Sequence, residues 1–379
     1  MSDPVRVALF SGNYNYLREG ANRALNKLSG YLEREAGCTV RVYSPVTQTP
    51  AFEPEGTLVP VPSIALPVRS EFRLALGLPP SIRRDLDRFD PHIVHVSTPD
   101  ILGTRAQSWA AAHGIPHVAS MHTLFETYLA YYGLDWLRPL AERHLNRFYR
   151  RADHVFAPTP VLVEKLRGLR GDGRASVWSR GIDRDMFSPL KRDMAWRRTL
   201  GIADDDIVVL YFGRLVKEKG IDIYTDVIAR LQDRGRIRAL VVGEGPARSG
   251  FDNIDTAVLT GHLEGDDLAR AVASADIMLA PSTTETFGQV MLEAMASGLP
   301  VVSADAPSAR ALIGDSETGL MCAPTSARQY VEAIGSLVSN SARRHAMGAA
   351  ARERSAAFSW NAASHSVAQV YRDILGHHI

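Results

Sequence analysis

Short apolar runs alternate with helical patterns along almost the whole chain. Val5–Phe10 is nearly continuous in apolar residues and ends at Ser11-Gly12, the pattern of a strand buried on both faces of a parallel sheet. From Gly20 to Glu35, Ala21, Leu25, Leu28 and Leu32 share one helical face. Further strand-like runs fall at Thr39–Tyr43, Ile93–Val96, His117–Met121 and His154–Pro158, with helical patterns over Ile101–His113 and Trp136–Arg151. The rhythm restarts at Ile207–Phe212. It continues through Ala239–Val242, Ala257–Thr260, Ile277–Ala280 and Val301–Ser303, with helices over Ile223–Asp233 and Asp266–Ser274. Such alternation predicts βαβ units and mostly parallel sheets.

Two doubly wound α/β domains follow, residues 1–185 and 186–359, joined near Gly181–Arg198. That joint carries Asp183, Asp185, Pro189, Lys191 and Arg192 and no long apolar run. Trp360–Leu375 is amphipathic, with Val367, Val370, Tyr371 and Ile374 on one face. This tail, 360–379, is expected to cross back to the first domain.

Composition narrows the classes. A chain of 379 residues supports two sizeable cores, and it contains no run of 18 apolar residues of the kind that spans a membrane. The start, Met1-Ser2-Asp3-Pro4-Val5-Arg6, does not read as a secretory leader. Cys38 and Cys322 lie far apart and read as free thiols, so a cytoplasmic location is expected. A net charge of +1 argues against nucleic acid as the main partner. Residues 1–185 hold 23 Lys and Arg against 19 Asp and Glu, and the remainder 20 against 23, which tilts the first half toward an anionic surface or substrate.

The densest chemistry lies between Pro281 and Pro300. Glu285 and Glu293 stand eight residues apart across a loop-to-helix junction, with Gly288 between them and Gly298 and Pro300 as a helix stop. Free amides near Thr286, Phe287 and Gly288 would form an anion site flanked by two groups that accept hydroxyl hydrogens. After the strand at Ile207–Phe212, Arg214 and Lys219 stand five residues apart on a turn bounded by Gly213 and Gly220. That cation pair suits a diphosphate. Gly243-Glu244-Gly245-Pro246 begins like a dinucleotide-binding fingerprint but does not complete it, and no P-loop occurs. Asp183-Arg184-Asp185 matches a metal-binding string, yet it lies in the joint rather than after a strand, and no metal site is expected there.

These motifs closely resemble glycosyltransferase family 4. Pro281–Pro300 is similar to its E-x7-E segment, and Gly213-Arg214-Leu215 through Lys219-Gly220 resembles its diphosphate-binding turn. Trp178-Ser179-Arg180-Gly181-Ile182-Asp183 is similar to its R-G-[VI]-D loop. His122-Thr123, with Phe125 and Tyr128, resembles its lipid-modifying mannosyl- and sulfoquinovosyltransferase branch, although Glu126 stands where that branch has Pro. The resemblance implies a GT-B fold, two Rossmann-like doubly wound parallel-sheet domains facing across a cleft, and a retaining reaction. The first domain would bind the acceptor and the second the nucleotide sugar.

Residue by residue, the resemblance implies that Arg214 and Lys219 hold the two phosphates, Glu285 the donor sugar and Glu293 the ribose. His122 would position the sugar. Gly20 would offer backbone to the β-phosphate. Gly213, Gly261, Leu263, Thr286, Phe287, Gly288 and Val290 would complete the donor site, with Gly261 and Leu263 near the base. Tyr14, Asn15, Tyr16 and Arg18 would line the acceptor side, or else form an exposed polar loop.

No cofactor or metal is expected, because the Arg–Lys pair takes over the charge role. The donor would be GDP-mannose or a UDP-hexose, and the acceptor a glycolipid or another lipid-linked or saccharide hydroxyl. Trp136, Leu137, Leu140 and Phe148 among Arg138, Arg143, Arg147, Arg150 and Arg151 suit contact with an anionic bilayer at the inner face of the cell membrane. A helix packed on its own sheet with a basic outer face fits the same pattern. Two further readings share the motifs: a nucleotide-sugar 2-epimerase of the same fold, and a sensor that binds donor without turnover.

Overall fold

A computed structural model describes residues 3–17, 20–65, 72–125, 127, 133–231 and 236–376. The described residues form two units. The first comprises Met1–Leu129, Leu134–Gly181 and Ser359–Ile379; the second comprises Ala130–Gly133 and Ile182–Phe358.

In β1 (Arg6–Phe10) alternate side chains serve two cores: Val7 and Leu9 face one, Ala8 and Phe10 the other. A strand so placed must be apolar throughout, which is why the run reads as continuous. The chain continues through α1 (Gly20–Arg34), β2 (Thr39–Ser44), β3 (Thr57–Pro60), β4 (Ser63–Ala65), β5 (Arg73–Ala75) and α2 (Pro80–Phe89). Next come β6 (Ile93–Val96), α3 (Ile101–Ala112), β7 (His117–Ser120), α4 (Arg138–Arg151), β8 (His154–Ala157), α5 (Pro160–Arg170) and β9 (Ala175–Val177). The sheet is parallel in the order β3-β2-β1-β6-β7-β8-β9; β4 and β5 pair separately and antiparallel. Its order reverses between β1 and β6, which pair with Phe10 opposite Val96.

The second unit holds α6 (Met194–Thr199), β10 (Ile207–Phe212), α7 (Ile221–Leu231), β11 (Ile237–Val242), β12 (Ala257–Gly261), α8 (Gly265–Ala273) and β13 (Ile277–Ala280). It is completed by α9 (Gln289–Ala296), β14 (Val301–Ala304), α10 (Pro307–Leu312), β15 (Gly319–Cys322), α11 (Ala327–Val338) and α12 (Ser341–Ser355). Its parallel sheet runs β12-β11-β10-β13-β14-β15 and reverses between β10 and β13. Val208, Leu210 and Phe212 face one core and Val209 and Tyr211 the other. The stretch read as a joint is tied into this unit: Arg192 and the buried Arg197 both bind Asp276, just ahead of β13.

The last helix, α13 (Trp360–Leu375), packs on α1 within the first unit. Val367, Ala368 and Tyr371 join Val7, Leu9 and Leu28 in one core, as its amphipathic pattern predicts. The sequence patterns found the central strands and missed β3, the β4–β5 pair, α2, α5, β9, α6, α10, β15, α11 and α12.

Candidate active site

Open parallel sheets bind ligands at the carboxyl ends of their strands, where the strand order reverses. In the second unit that point lies between the loop after β10 and the loop after β13, and the two loops are fastened together. The Lys219 ammonium bonds a Glu285 carboxylate oxygen. The Glu218 carbonyl accepts from Ser282 Oγ at 3.2 Å and Thr284 Oγ1 at 2.9 Å. Gly220, at φ +73°, lies against the backbone of Pro281, where a Cβ would meet the Pro281 carbonyl at 3.0 Å. A side chain at that position would push the loops apart.

Arg214 is exposed on this edge, and its carbonyl is held by the Tyr211 hydroxyl at 3.0 Å. Burial raises the Tyr211 phenol far above its ordinary value, so it remains a donor. Gly288, at φ +89°, caps α9, and Glu293 sits one turn inside that helix, almost fully buried. Thr286 is half-buried beside them.

Three predicted contacts lie in or against one core. Phe287 packs its ring edge-on against Phe358, with centroids 5.9 Å apart, while Val290 and Leu263 lie half-buried against the same cluster. What Phe287 keeps for a ligand is backbone. The Gly261 carbonyl accepts from Gly243 N–H, and Gly243 presses on Gly213, where a Cβ would lie 2.0 Å from the Gly213 carbonyl oxygen. Gly243 therefore serves to bring three strand ends together rather than to open a dinucleotide loop.

The first unit reverses its strand order between the loops after β1 and β6. Gly12 N–H donates to Thr98 Oγ1 at 2.9 Å, and Asp100 caps α3 through Gly103 N–H at 2.7 Å. Burial pushes the Asp100 carboxyl up. Tyr14, Asn15 and Tyr16 are buried, not an exposed loop. Their polar atoms are spent on the fold: Tyr14 on the Glu55 carbonyl, Asn15 on the Phe52 carbonyl, Tyr16 on the Gly12 carbonyl. Asn13 differs. It is 9% exposed, and neither end of its carboxamide has a hydrogen-bonding partner among the described residues. Gly20 opens α1, while Arg18, Glu126 and Tyr128 lie outside the described residues.

His122 follows β7. Its Nδ1 stands 2.8 Å from a terminal nitrogen of the buried Arg180, and its ring meets Trp178 edge-on at 5.3 Å. Burial, reinforced by Arg180 and His95, holds His122 well below the ordinary histidine range. Sequence reasoning passed over Asn13 and gave Arg180 no role, since nothing in a sequence marks which arginine is buried. Asp183 and Asp185 belong to a turn, in which Asp183 Oδ1 accepts from the Asp185 and Met186 amides.

Residues 18–186 match the sequence profile of Glycosyltransferase Family 4, and residues 193–354 that of Glycosyl transferases group 1. The chain is 30% identical over 375 residues to the sulfoquinovosyl transferase SQD2 of Arabidopsis thaliana, covering 96% of this chain and 72% of that one. It belongs to glycosyltransferase family 4. This family 4 enzyme is also 34% identical to a GDP-mannose-dependent alpha-mannosyltransferase of Mycobacterium tuberculosis, over 84% of this chain and 83% of that one. Its fold is that of the sucrose-phosphate synthase from Thermosynechococcus elongatus, at a TM-score of 0.78 and 21% identity over 98% and 99% of the two chains. The glycosyltransferase thus has the GT-B architecture of two Rossmann-like domains and transfers a hexose from a nucleotide sugar.

Proposed function

We propose that the enzyme moves a hexose, with retention, from GDP-mannose or a UDP-hexose to a hydroxyl of a glycolipid or another lipid-linked or saccharide acceptor. The observation that carries this is the pairing of Lys219 with Glu285 at the switch point of the second sheet, beside Arg214, Glu293 and the start of α9. Arg214 and Lys219 neutralise the diphosphate, Glu285 and Glu293 accept from sugar and ribose hydroxyls, and the α9 amides face an oxygen of the phosphate. Gly20 and His122 of the first unit are assigned to the same donor. No metal is needed in this scheme, because the two cations supply the positive charge.

The bond from the anomeric carbon to the leaving phosphate oxygen breaks as the acceptor oxygen adds on the same face. The departing phosphate takes the acceptor's proton. Stabilising that leaving group is the main catalytic contribution. Arg214→Ala tests the assignment: transfer should fall by roughly 10²–10³ with folding intact. Near-normal turnover would reject it.

The lipid part rests on α4. Arg143, Arg147 and Arg150 are exposed, next to Trp136 at 75% and Leu140 at 66% exposure. Phe148, expected on that surface, is instead buried and packs the helix on its own unit. Exposed aromatic and cationic side chains of this kind suit an anionic bilayer. Flotation with anionic vesicles but not with neutral ones is the expected result, and absence of binding to both removes the lipid argument. No helix among the described residues is long and apolar enough to cross a membrane.

A further inference from the structure

Arg180 is 3% exposed, and its guanidinium is satisfied from three sides. One terminal nitrogen donates to the Trp178 carbonyl at 3.1 Å and the Ser179 carbonyl at 3.3 Å, and the other meets His122 Nδ1 at 2.8 Å. A guanidinium has five donors and no acceptor. Nδ1 must therefore accept, which an imidazolium cannot do. His122 is then neutral and carries its proton on Nε2.

Everything around the pair fixes it. Trp178 is 1% exposed, stands edge-on to the His122 ring, and lies 5.1 Å from the Arg180 guanidinium carbon. Gly181 passes against the start of α13 so closely that a Cβ would fall 2.1 Å from the Trp360 nitrogen. His95, the other titratable group acting on His122, is itself fully buried between the Tyr371 hydroxyl and Ser120 Oγ, each at 2.6 Å.

We propose that Arg180 is a positioning residue that locks His122 as a neutral Nε2–H imidazole, so that His122 meets its ligand as a hydrogen-bond donor and never as a base. The ligand group it selects is accordingly an acceptor, a sugar hydroxyl oxygen or a phosphate oxygen. The consequence for turnover rests on the reading of His122 as a donor-sugar contact, whereas the tautomer itself does not.

The test uses the full chain with 15N-labelled histidine rings, the His122 signals being assigned by difference against His122→Phe. Wild type should show a single Nε2–H tautomer that does not titrate between pH 5.5 and 8.5. Arg180→Lys, which keeps a donor, should preserve it. Arg180→Met should release it, giving mixed tautomers and titration moving toward about 6.5. In the same variants, release of nucleotide from GDP-mannose and from UDP-glucose is followed against pH. Arg180→Met should acquire a basic limb in kcat/KM that Arg180→Lys lacks, because its imidazolium still donates from Nε2 whereas its neutral ring is divided between two tautomers. An Nδ1–H signal in wild type, or titration of His122 above pH 5.5, overturns the proposal. Should Arg180→Met fail to fold, the wild-type and Arg180→Lys spectra still decide. Unchanged turnover in His122→Phe beside the expected spectra would reject the donor-contact reading and leave the tautomer assignment standing.

Discussion

Lys219, from the loop after β10, pairs with Glu285, from the loop after β13, with both side chains about four-fifths buried. The loop after β10 is held from three directions: by Tyr211 of β10, by the Glu244 carbonyl after β11, which accepts from Leu215 N–H, and by this pair. The pair holds a cation and a carboxylate at the sheet edge before any ligand arrives.

Removing one partner leaves the other charge half-desolvated. Lys219→Met should therefore lose about 1–3 kcal/mol of stability, somewhat less than a fully buried pair because solvent still reaches it. Transfer should fall by roughly 10²–10³. Thermal unfolding and steady-state rates measured on the same preparation check both; a rate unchanged within threefold would remove Lys219 from the site.

Asn13 makes an unusual prediction. An amide buried without partners costs the protein on the order of 1–3 kcal/mol. Asn13→Leu, similar in shape, should raise the melting temperature or leave it unchanged while transfer to acceptor declines. A clear loss of stability would show that the amide is satisfied within the fold.

Gly243→Ala should be severe. The new Cβ would fall on the Gly213 carbonyl oxygen, at a φ of +140° that side chains rarely adopt. A loss of about 4 kcal/mol or more is expected, read as a fall in the melting of the second unit. A normal melting curve would mean that the strand ends can part without cost.

His95 gives the first unit an acid sensitivity. Burial lowers its pKa from 6.5 to about 3, so the unfolded chain binds a proton that the folded one refuses. Stability from this group is complete above about pH 6.5 and falls by about 1.4 kcal/mol per pH unit below it, down to about pH 3. Chemical denaturation of wild type and His95→Gln between pH 7 and 5 should show the difference between them narrowing as pH falls. A constant difference would mean that His95 titrates normally.

How much of this was legible depends on where each signal lives. Ile93–Val96, Ile207–Phe212, Ile277–Ala280 and Trp360–Leu375 were legible to the residue, because doubly buried strands and amphipathic helices leave their period in the sequence. α12 was not, since Ser341–Ser355 offers arginines and alanines with little apolar contrast. β9 is three residues long, too short to carry a pattern. At the site, Arg214, Lys219, Glu285 and Glu293 stood out as charged residues beside glycine turns. Tyr14 and Tyr16 were assigned to the acceptor side or else to an exposed polar loop; the exposed loop is excluded, since their rings are internal and their hydroxyls bind carbonyls. Arg180 and Asn13 take their meaning from burial alone, a tertiary property.

The placement of α13 bears on how the protein is made. A nascent chain that has emerged as far as β9 still lacks the helix that covers Val7, Leu9 and Trp178. All of Ile182–Phe358 must be translated first, roughly ten to forty seconds at ordinary ribosome speeds. Throughout that interval the earlier-born half keeps a greasy face open to chaperones. The later-born half can meanwhile close its own cores, so on the ribosome the order of completion runs opposite to the order of synthesis.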